Sequence, residues 1–175
     1  EYNNELCTII QFQHVKPGKG PAFVRTKLKS LKTGRVLENT FSSGTKVNVA
    51  RVERRPYQYL YKDDIGFYFM HLETFEQIHV EEHVIDYPEF LMEGQSVEAV
   101  VHADTETVLS VELPQNVVME VKYTEKGLKG DTATNAYKPA TMENGSVIMV
   151  PLFINSGDKI KINTGDRSYV ERVKG

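Results

Sequence analysis

The chain has 175 residues, a formal net charge of −3, and 40% hydrophobic and 26% charged residues, the composition of an ordinary soluble globular protein. That length allows one domain or two to three small ones, and the single cysteine, Cys7, excludes an intramolecular disulfide and fits a reducing cytoplasm. No apolar run reaches the roughly 20 residues that span a bilayer and no signal peptide is visible, so the expectation is a cytoplasmic protein with no membrane partner.

The local patterns are almost entirely β. Residues 6–12 are short, β-branched and partly alternating, and residues 22–28 alternate apolar and polar, so the two read as a hairpin. A turn at 32–35 leads into a strand at 36–41, and a second turn signal follows at 42–45. This spacing suggests a small SH3-like barrel closing near Val49. From Arg51 the pattern restarts, with strands at 52–55, 57–62 and 67–70, a short helix at 74–77, and two further strands at 96–101 and 107–112. Five strands with a helical interruption fit an OB-type barrel, and Pro114 marks its end. Strands at 117–123, 146–154, 159–163 and 169–173 suggest a second OB-type barrel. The expected domains are therefore 1–50, 51–114 and 115–175, an all-β chain of three small barrels in series.

Charge is segregated along this plan. Between Leu6 and Leu37 there is no Asp or Glu, but there are Lys16, Lys19, Arg25, Lys27, Lys29, Lys32 and Arg35. Between Glu73 and Leu113 there are eleven acidic residues and no Lys or Arg. Scattered charges usually mean solvated faces. One-sign segregation over two domain-sized segments implies that the N-terminal end seeks phosphates and the middle does not track them. Alternation through Arg25, Lys27 and Lys29 puts the three on one strand face, with Val24 and Leu28 on the other. Lysines on such a face also protect a strand from edge pairing, so RNA contact and simple protection are both open readings.

The first of these segments contains the loop Lys16, Pro17, Gly18, Lys19, Gly20, Pro21. The prolines fix φ near −65° and the glycines permit positive φ, so a tight reversal holds one long cation, Lys19, at its apex. By itself such a residue is an ordinary solubilising loop tip or a probe aimed at RNA. The run from Phe12 to Leu28 resembles the first domain of the bacterial elongation factor P family. Residues 73–78 resemble the middle domain of that family. Residues 127–133, then Lys138, Pro139, Ala140, Gly145 and 150–157, resemble its C-terminal domain. Three matches in the right order cover nearly the whole chain.

The resemblance implies a non-enzymatic translation factor with no cofactor, elongated and L-shaped, that binds the 70S ribosome between the peptidyl and exit tRNA sites. It implies that Lys19 steadies the end of the P-site peptidyl-tRNA when consecutive prolines stall synthesis, by position and charge rather than nucleophilic chemistry. Pro17, Gly18, Gly20 and Pro21 are then its scaffold. Lys16, Arg25, Lys27, Lys29, Lys32 and Arg35 are expected to contact tRNA or rRNA. Gly130, Asp131 and Thr132 are expected near the small subunit and the mRNA at the exit-site codon, and Tyr169 and Arg172 near tRNA or ribosome. The first strand of the N-terminal barrel is expected to be missing or incomplete, because the chain starts at Glu1 without a methionine.

Catalytic motifs are lacking. His79 and His83 lie at i, i+4 but without the His-Glu-x-x-His order of zinc proteases, so a charged loop is the simpler reading and no metal is expected. Cys7 reads as a small buried hydrophobe. Two alternatives stand beside the main reading. One is a divergent relative with another ribosomal task. The other is a general single-stranded nucleic-acid binder, for which Tyr57, Tyr59, Tyr61, Phe67, Tyr68 and Phe69 offer stacking rings beside an unfavourably acidic segment.

Many members of the family carry a covalent extension on the tip residue, which implies Lys19 as a modification site and a modifying enzyme as a partner. In this loop proline stands on both sides of the tip, at Pro17 and Pro21. A second proline removes backbone freedom that binding would otherwise cost, so Pro21 preorganises Lys19 and lowers the need for the extension. The intact mass of protein from its native host is therefore expected to match the unmodified chain, and an adduct on Lys19 would count directly against this.

Overall fold

A computed structural model describes residues 1–127 and 136–174. Thirteen strands are found among them, in three sheets. The first sheet, in order β1-β2-β3, holds β1 (Cys7–Val15), β2 (Phe23–Ser30) and β3 (Val36–Ser42). The second, in order β6-β5-β4-β7-β8, holds β4 (Val52–Lys62), β5 (Phe67–His71), β6 (Gln77–Val80), β7 (Ser96–His102) and β8 (Thr107–Glu112). The third, in order β11-β10-β9-β12-β13, holds β9 (Asn116–Thr124), β10 (Tyr137–Met142), β11 (Val147–Pro151), β12 (Lys159–Asn163) and β13 (Ser168–Val173). By packing, the chain forms two compact units, Glu1–Glu53 with Val100–Leu109, and Arg54–Ala99 with Ser110–Gly175.

In the first unit, β2 alternates strictly in its second half. Thr26, Leu28 and Ser30 are buried while Arg25 and Lys29 are exposed. The buried polar groups are satisfied: Thr26 Oγ1 donates to the Asn39 carbonyl at 2.8 Å and Ser30 Oγ to Glu5 Oε2 at 3.0 Å. Most of β1 is exposed, Phe12 at 73%.

In the second unit, β4 runs unbroken through Pro56, where the sequence suggested two strands. Pro56 lacks an N–H, but its carbonyl accepts from Leu72 N at 3.1 Å, so one ladder bond survives at that point. The helix expected at 74–77 is instead the β5–β6 turn. His71 Nδ1 accepts from the amides of Glu73 and Thr74 at 3.1 and 3.2 Å, and Phe75 sits at φ 61°, incompatible with a right-handed helix. The helical interruption comes later, as two short 3-10 turns at Glu82–Val84 and Pro88–Phe90. Asp63 closes the β4–β5 hairpin by accepting from Ile65 N at 2.8 Å and Gly66 N at 3.1 Å, and the first of these bonds holds its carboxyl below the usual range. Gly66 is required there, since a Cβ would lie 2.6 Å from both His79 Nε2 and the Val80 carbonyl.

The largest core belongs to β9–β13, where the sequence pattern lacked β10 altogether. Val117, Met119, Val121, Met142, Ile148, Val150, Ile160 and Ile162 fill it from alternating positions. Two further members come from outside those strands: Ile154, in the segment between β11 and β12, and Phe90, in the second 3-10 turn, are both fully buried among them. Pro88 starts that turn, and Tyr87 before it takes a left-handed conformation that redirects the chain. Around Phe90, Asn144 Nδ2 donates to the Glu89 carbonyl. The largely buried Glu89 Oε1 faces Arg167 Nη2 at 2.6 Å, an ion pair without hydrogen-bond alignment. Removing a fully buried phenylalanine leaves a cavity as well as lost transfer energy. Phe90→Ala should lower the unfolding free energy by about 3–5 kcal/mol in chemical denaturation; a loss below about 1 kcal/mol would show that this core closes without it.

Candidate nucleic-acid interface

The β1–β2 hairpin closes on the pair Val15 and Phe23, and the Pro/Gly loop spans the residues between them. Gly20 takes φ 104°, a conformation strained for any residue with a Cβ, whereas Gly18 needs no positive φ and has open space around it. The expectation of two left-handed glycines thus reduces to one. Lys16, Lys19 and Pro21 are exposed and Pro17 is half-buried. Among the described residues, neither the Lys16 nor the Lys19 side chain makes a hydrogen bond or ion pair. The loop presents Lys19 as a free ammonium.

The remaining basic residues form a track rather than a cluster. Arg25, Lys27 and Lys29 follow one another along a single face of β2. Lys32 and Arg35 sit at the opposite end of that strand from the loop, about 23 Å away at the rise of an extended chain. Cross-strand register adds neighbours that the linear sequence hides: Gln13 opposite Arg25, Gln11 opposite Lys27, and on the other side Thr40 and Glu38. Together they line a shallow depression of about 350 Å³. Glu38 matters most, because it lies one residue beyond the acid-free run yet ends up 3.6 Å from Lys27 Nζ. Arg25 lies over the Phe23 ring at 5.5 Å. No sequence signal short of strand pairing reveals the glutamines or the Lys27–Glu38 contact.

The other expected contact residues lie elsewhere. Gly130, Asp131 and Thr132 fall outside the described residues. Tyr169 is half-buried on β13 against the C-terminal core, and burial pushes its hydroxyl pKa up. Arg172 is exposed but engaged, 5.5 Å over the Phe153 ring and 3.8 Å from Asp158. The acidic segment is also less one-sided in space than in sequence. Arg54 from β4 bridges Glu98 at 2.8 Å and Glu112, Lys62 pairs with Glu82 at 3.1 Å, and Arg167 pairs with Glu89. The two carboxylates push the Arg54 pKa up.

Among the six candidate stacking rings, Tyr57, Phe67 and Phe69 are buried in the second unit, and Tyr61 is stacked on Tyr68 at 4.6 Å. His79 packs near Tyr68 at 5.3 Å while His83 faces Glu81 at 3.1 Å, so the i, i+4 pair is split between different partners. No group of three or more His, Cys, Asp or Glu positioned to hold a metal occurs among the described residues. Cys7 is a free, half-buried thiol.

Three family comparisons cover this architecture. The Elongation factor P (EF-P) KOW-like domain matches residues 1–47, the Elongation factor P (EF-P) OB domain residues 52–111, and the Elongation factor P C-terminal domain residues 117–172. Elongation factor P 1 of Porphyromonas gingivalis is 58% identical over 174 residues, spanning 99% of this chain and 93% of that one. Elongation factor P of Azobacteroides pseudotrichonymphae is 61% identical over 166 residues, spanning 95% and 89%. The structure of eukaryotic translation initiation factor 5A from Methanococcus jannaschii aligns at 24% identity with a TM-score of 0.47, over 62% of this chain and 77% of that one. With all three domains matched in order and identities well above half across nearly the full length, the chain belongs to the elongation factor P family of translation elongation factors.

Proposed function

We propose that this chain acts on the ribosome between the peptidyl and exit tRNA sites, where it promotes peptide-bond formation at consecutive prolines without being an enzyme itself. The observation that carries this is the free ammonium of Lys19 on a Pro/Gly loop at one end of a cationic strand face. In this reading the domains are 1–50, 51–114 and 115–175, and the chain works in the cytoplasm. Lys16, Arg25, Lys27, Lys29, Lys32 and Arg35 follow tRNA or rRNA phosphates, setting the register in which Lys19 approaches the end of the P-site tRNA. Lys19 donates from a fixed position to a group whose geometry proline makes unfavourable, and the ribosome makes the bond. Asp131 and Thr132, with Gly130, exchange hydrogen bonds near the mRNA, and Arg172 and Tyr169 support a tRNA or ribosomal contact. The burial of Tyr57, Phe67 and Phe69 weighs against a general single-strand binder, which needs its rings exposed.

In vitro translation of a reporter with consecutive prolines tests this directly. The unmodified parent should relieve the stall and Lys19→Ala should not, while both still co-sediment with ribosomes; relief by Lys19→Ala would remove the tip residue from the mechanism. The loop backbone makes a second, separable expectation. Gly20→Ala forces a Cβ into a conformation costing about 1–2 kcal/mol, so it should impair relief, whereas Gly18→Ala should retain it. Equal behaviour of the two variants would show that the loop geometry does not set the position of Lys19.

A further inference from the structure

We propose that the depression on the outer face of β1, β2 and β3 reads the ribose edge of RNA, with the Gln11 and Gln13 side chains bonding 2′-hydroxyl groups. The proposal rests on the RNA-contact reading above and specifies which part of the RNA this face recognises. Strand register lays the face out in two rows across the three strands, with Gln13, Arg25 and Thr40 in one and Gln11, Lys27 and Glu38 in the other. The rows are two residues apart, about 6.8 Å along an antiparallel strand, and these side chains rim a cavity of about 350 Å³. Thr26 and Asn39 complete the lining, but their side chains are engaged. Thr26 Oγ1 donates to the Asn39 carbonyl at 2.8 Å, and Tyr2 Oη donates to Asn39 Oδ1 at 3.0 Å. Gln11, Gln13 and Thr40 are exposed, and their side chains make no hydrogen bond among the described residues. Ile10, bulged out of register beside Gln11, lies outside the depression.

The residue types select the part of the RNA. Arg25 and Lys27 only donate hydrogen bonds, which suits phosphate oxygens. A face built for phosphates alone gains nothing from Glu38, which lies 3.6 Å from Lys27 Nζ and repels a phosphate on the β3 flank. A strand whose phosphates follow Arg25 and Lys27 therefore carries its sugars over the β1 flank. The glutamines stand there, one interstrand spacing of about 4.8 Å away. A glutamine amide both donates and accepts, and a 2′-hydroxyl does the same. Base readout needs different residues. Unpaired bases stack on exposed rings, and no aromatic residue lines the depression. Phe23 beside it is covered by Arg25 at 5.5 Å, and Phe12 pairs with Thr26 and so belongs to the opposite face. A-form RNA presents its hydroxyls in a wide, shallow minor groove, a shape that an open depression of this kind can meet.

The test is an NMR titration of the full chain with a tRNA acceptor-stem minihelix and with the same minihelix carrying 2′-fluoro sugars, which keeps the A-form and removes the hydroxyls. The hydroxyl minihelix should bind about tenfold more tightly, the net effect of one or two hydrogen bonds. It alone should shift the side-chain amide signals of Gln11 and Gln13. A Gln11→Ala, Gln13→Ala double variant should bind the two minihelices alike. If the alanines unfold the hairpin, Gln11→Met with Gln13→Met keeps the length of both side chains and serves the same comparison. Equal binding of the two minihelices by the parent, a preference that the variant retains, or a change in affinity when the stem sequence is permuted overturns the ribose readout and leaves the RNA reading in place. A parent that binds neither minihelix overturns both.

Discussion

Side chains on a strand alternate between its two faces, so burying one row decides what the other row presents. On β2 the inward row is Thr26, Leu28 and Ser30, and Arg25, Lys27 and Lys29 are carried outward as a consequence. On β10 and β11 the inward Ala140, Met142, Ile148 and Val150 commit Tyr137, Pro139, Val147 and Met149 to the outside. A cationic row and a largely apolar row thus arise from the same constraint, applied to different residues in the alternate positions. A one-residue slip in either register would exchange inner and outer rows and destroy core and surface together.

Phe90 shows how the second unit uses that constraint beyond a single sheet. The strands β9–β13 fill their interior from their own inward rows, from Ile154 in the segment after β11, and from a side chain that the second 3-10 turn supplies. Because protein interiors are close-packed, a shared side chain of this size fixes its host segment to the core it enters. The Glu89–Arg167 pair and the Asn144 bond add direction to the contact. Aromatic burial supplies most of the free energy, since an ion pair whose arginine is mostly exposed contributes about 0–1 kcal/mol.

Strand content was legible wherever alternation was clean, as in β2, β9 and β12. It failed where one residue breaks the rule that reveals a strand. In β10 an inward position is Lys138, whose stem packs inside while its ammonium reaches the Glu125 carbonyl, so the segment does not read as alternating. At 74–77 the expectation was a short helix, but the His71 ring satisfies the turn amides, an interaction set by three dimensions. The candidate site divides in the same way. The loop and its lysine are visible in the sequence because proline and glycine act locally. Glu38, Gln11 and Gln13 are invisible there because only pairing across strands puts them beside the basic residues.

That hidden glutamate bears on how the cationic face works. Lys27 is held by Glu38 at 3.6 Å, Arg25 lies over Phe23, and Arg172 is held between Phe153 and Asp158, whereas the side chains of Lys16, Lys19, Lys29, Lys32 and Arg35 are unengaged among the described residues. Under the proposed function, engagement would not withdraw these cations from RNA. Exposed pairs are worth under about 1 kcal/mol and weaken with salt, and a phosphate offers the same charge with more acceptor oxygens. What an intramolecular partner does is reduce the side chain's freedom before binding, so less rotamer entropy remains to be lost. The unpaired lysines keep that freedom and can follow an irregular backbone. At Lys19 the restriction is supplied differently: Pro17, Pro21 and the positive φ of Gly20 confine the backbone and leave the ammonium without a competitor. In the proposed function Lys19 reaches one fixed point, and such a residue is best ordered through its backbone, because an ion pair would have to be broken each time it acted.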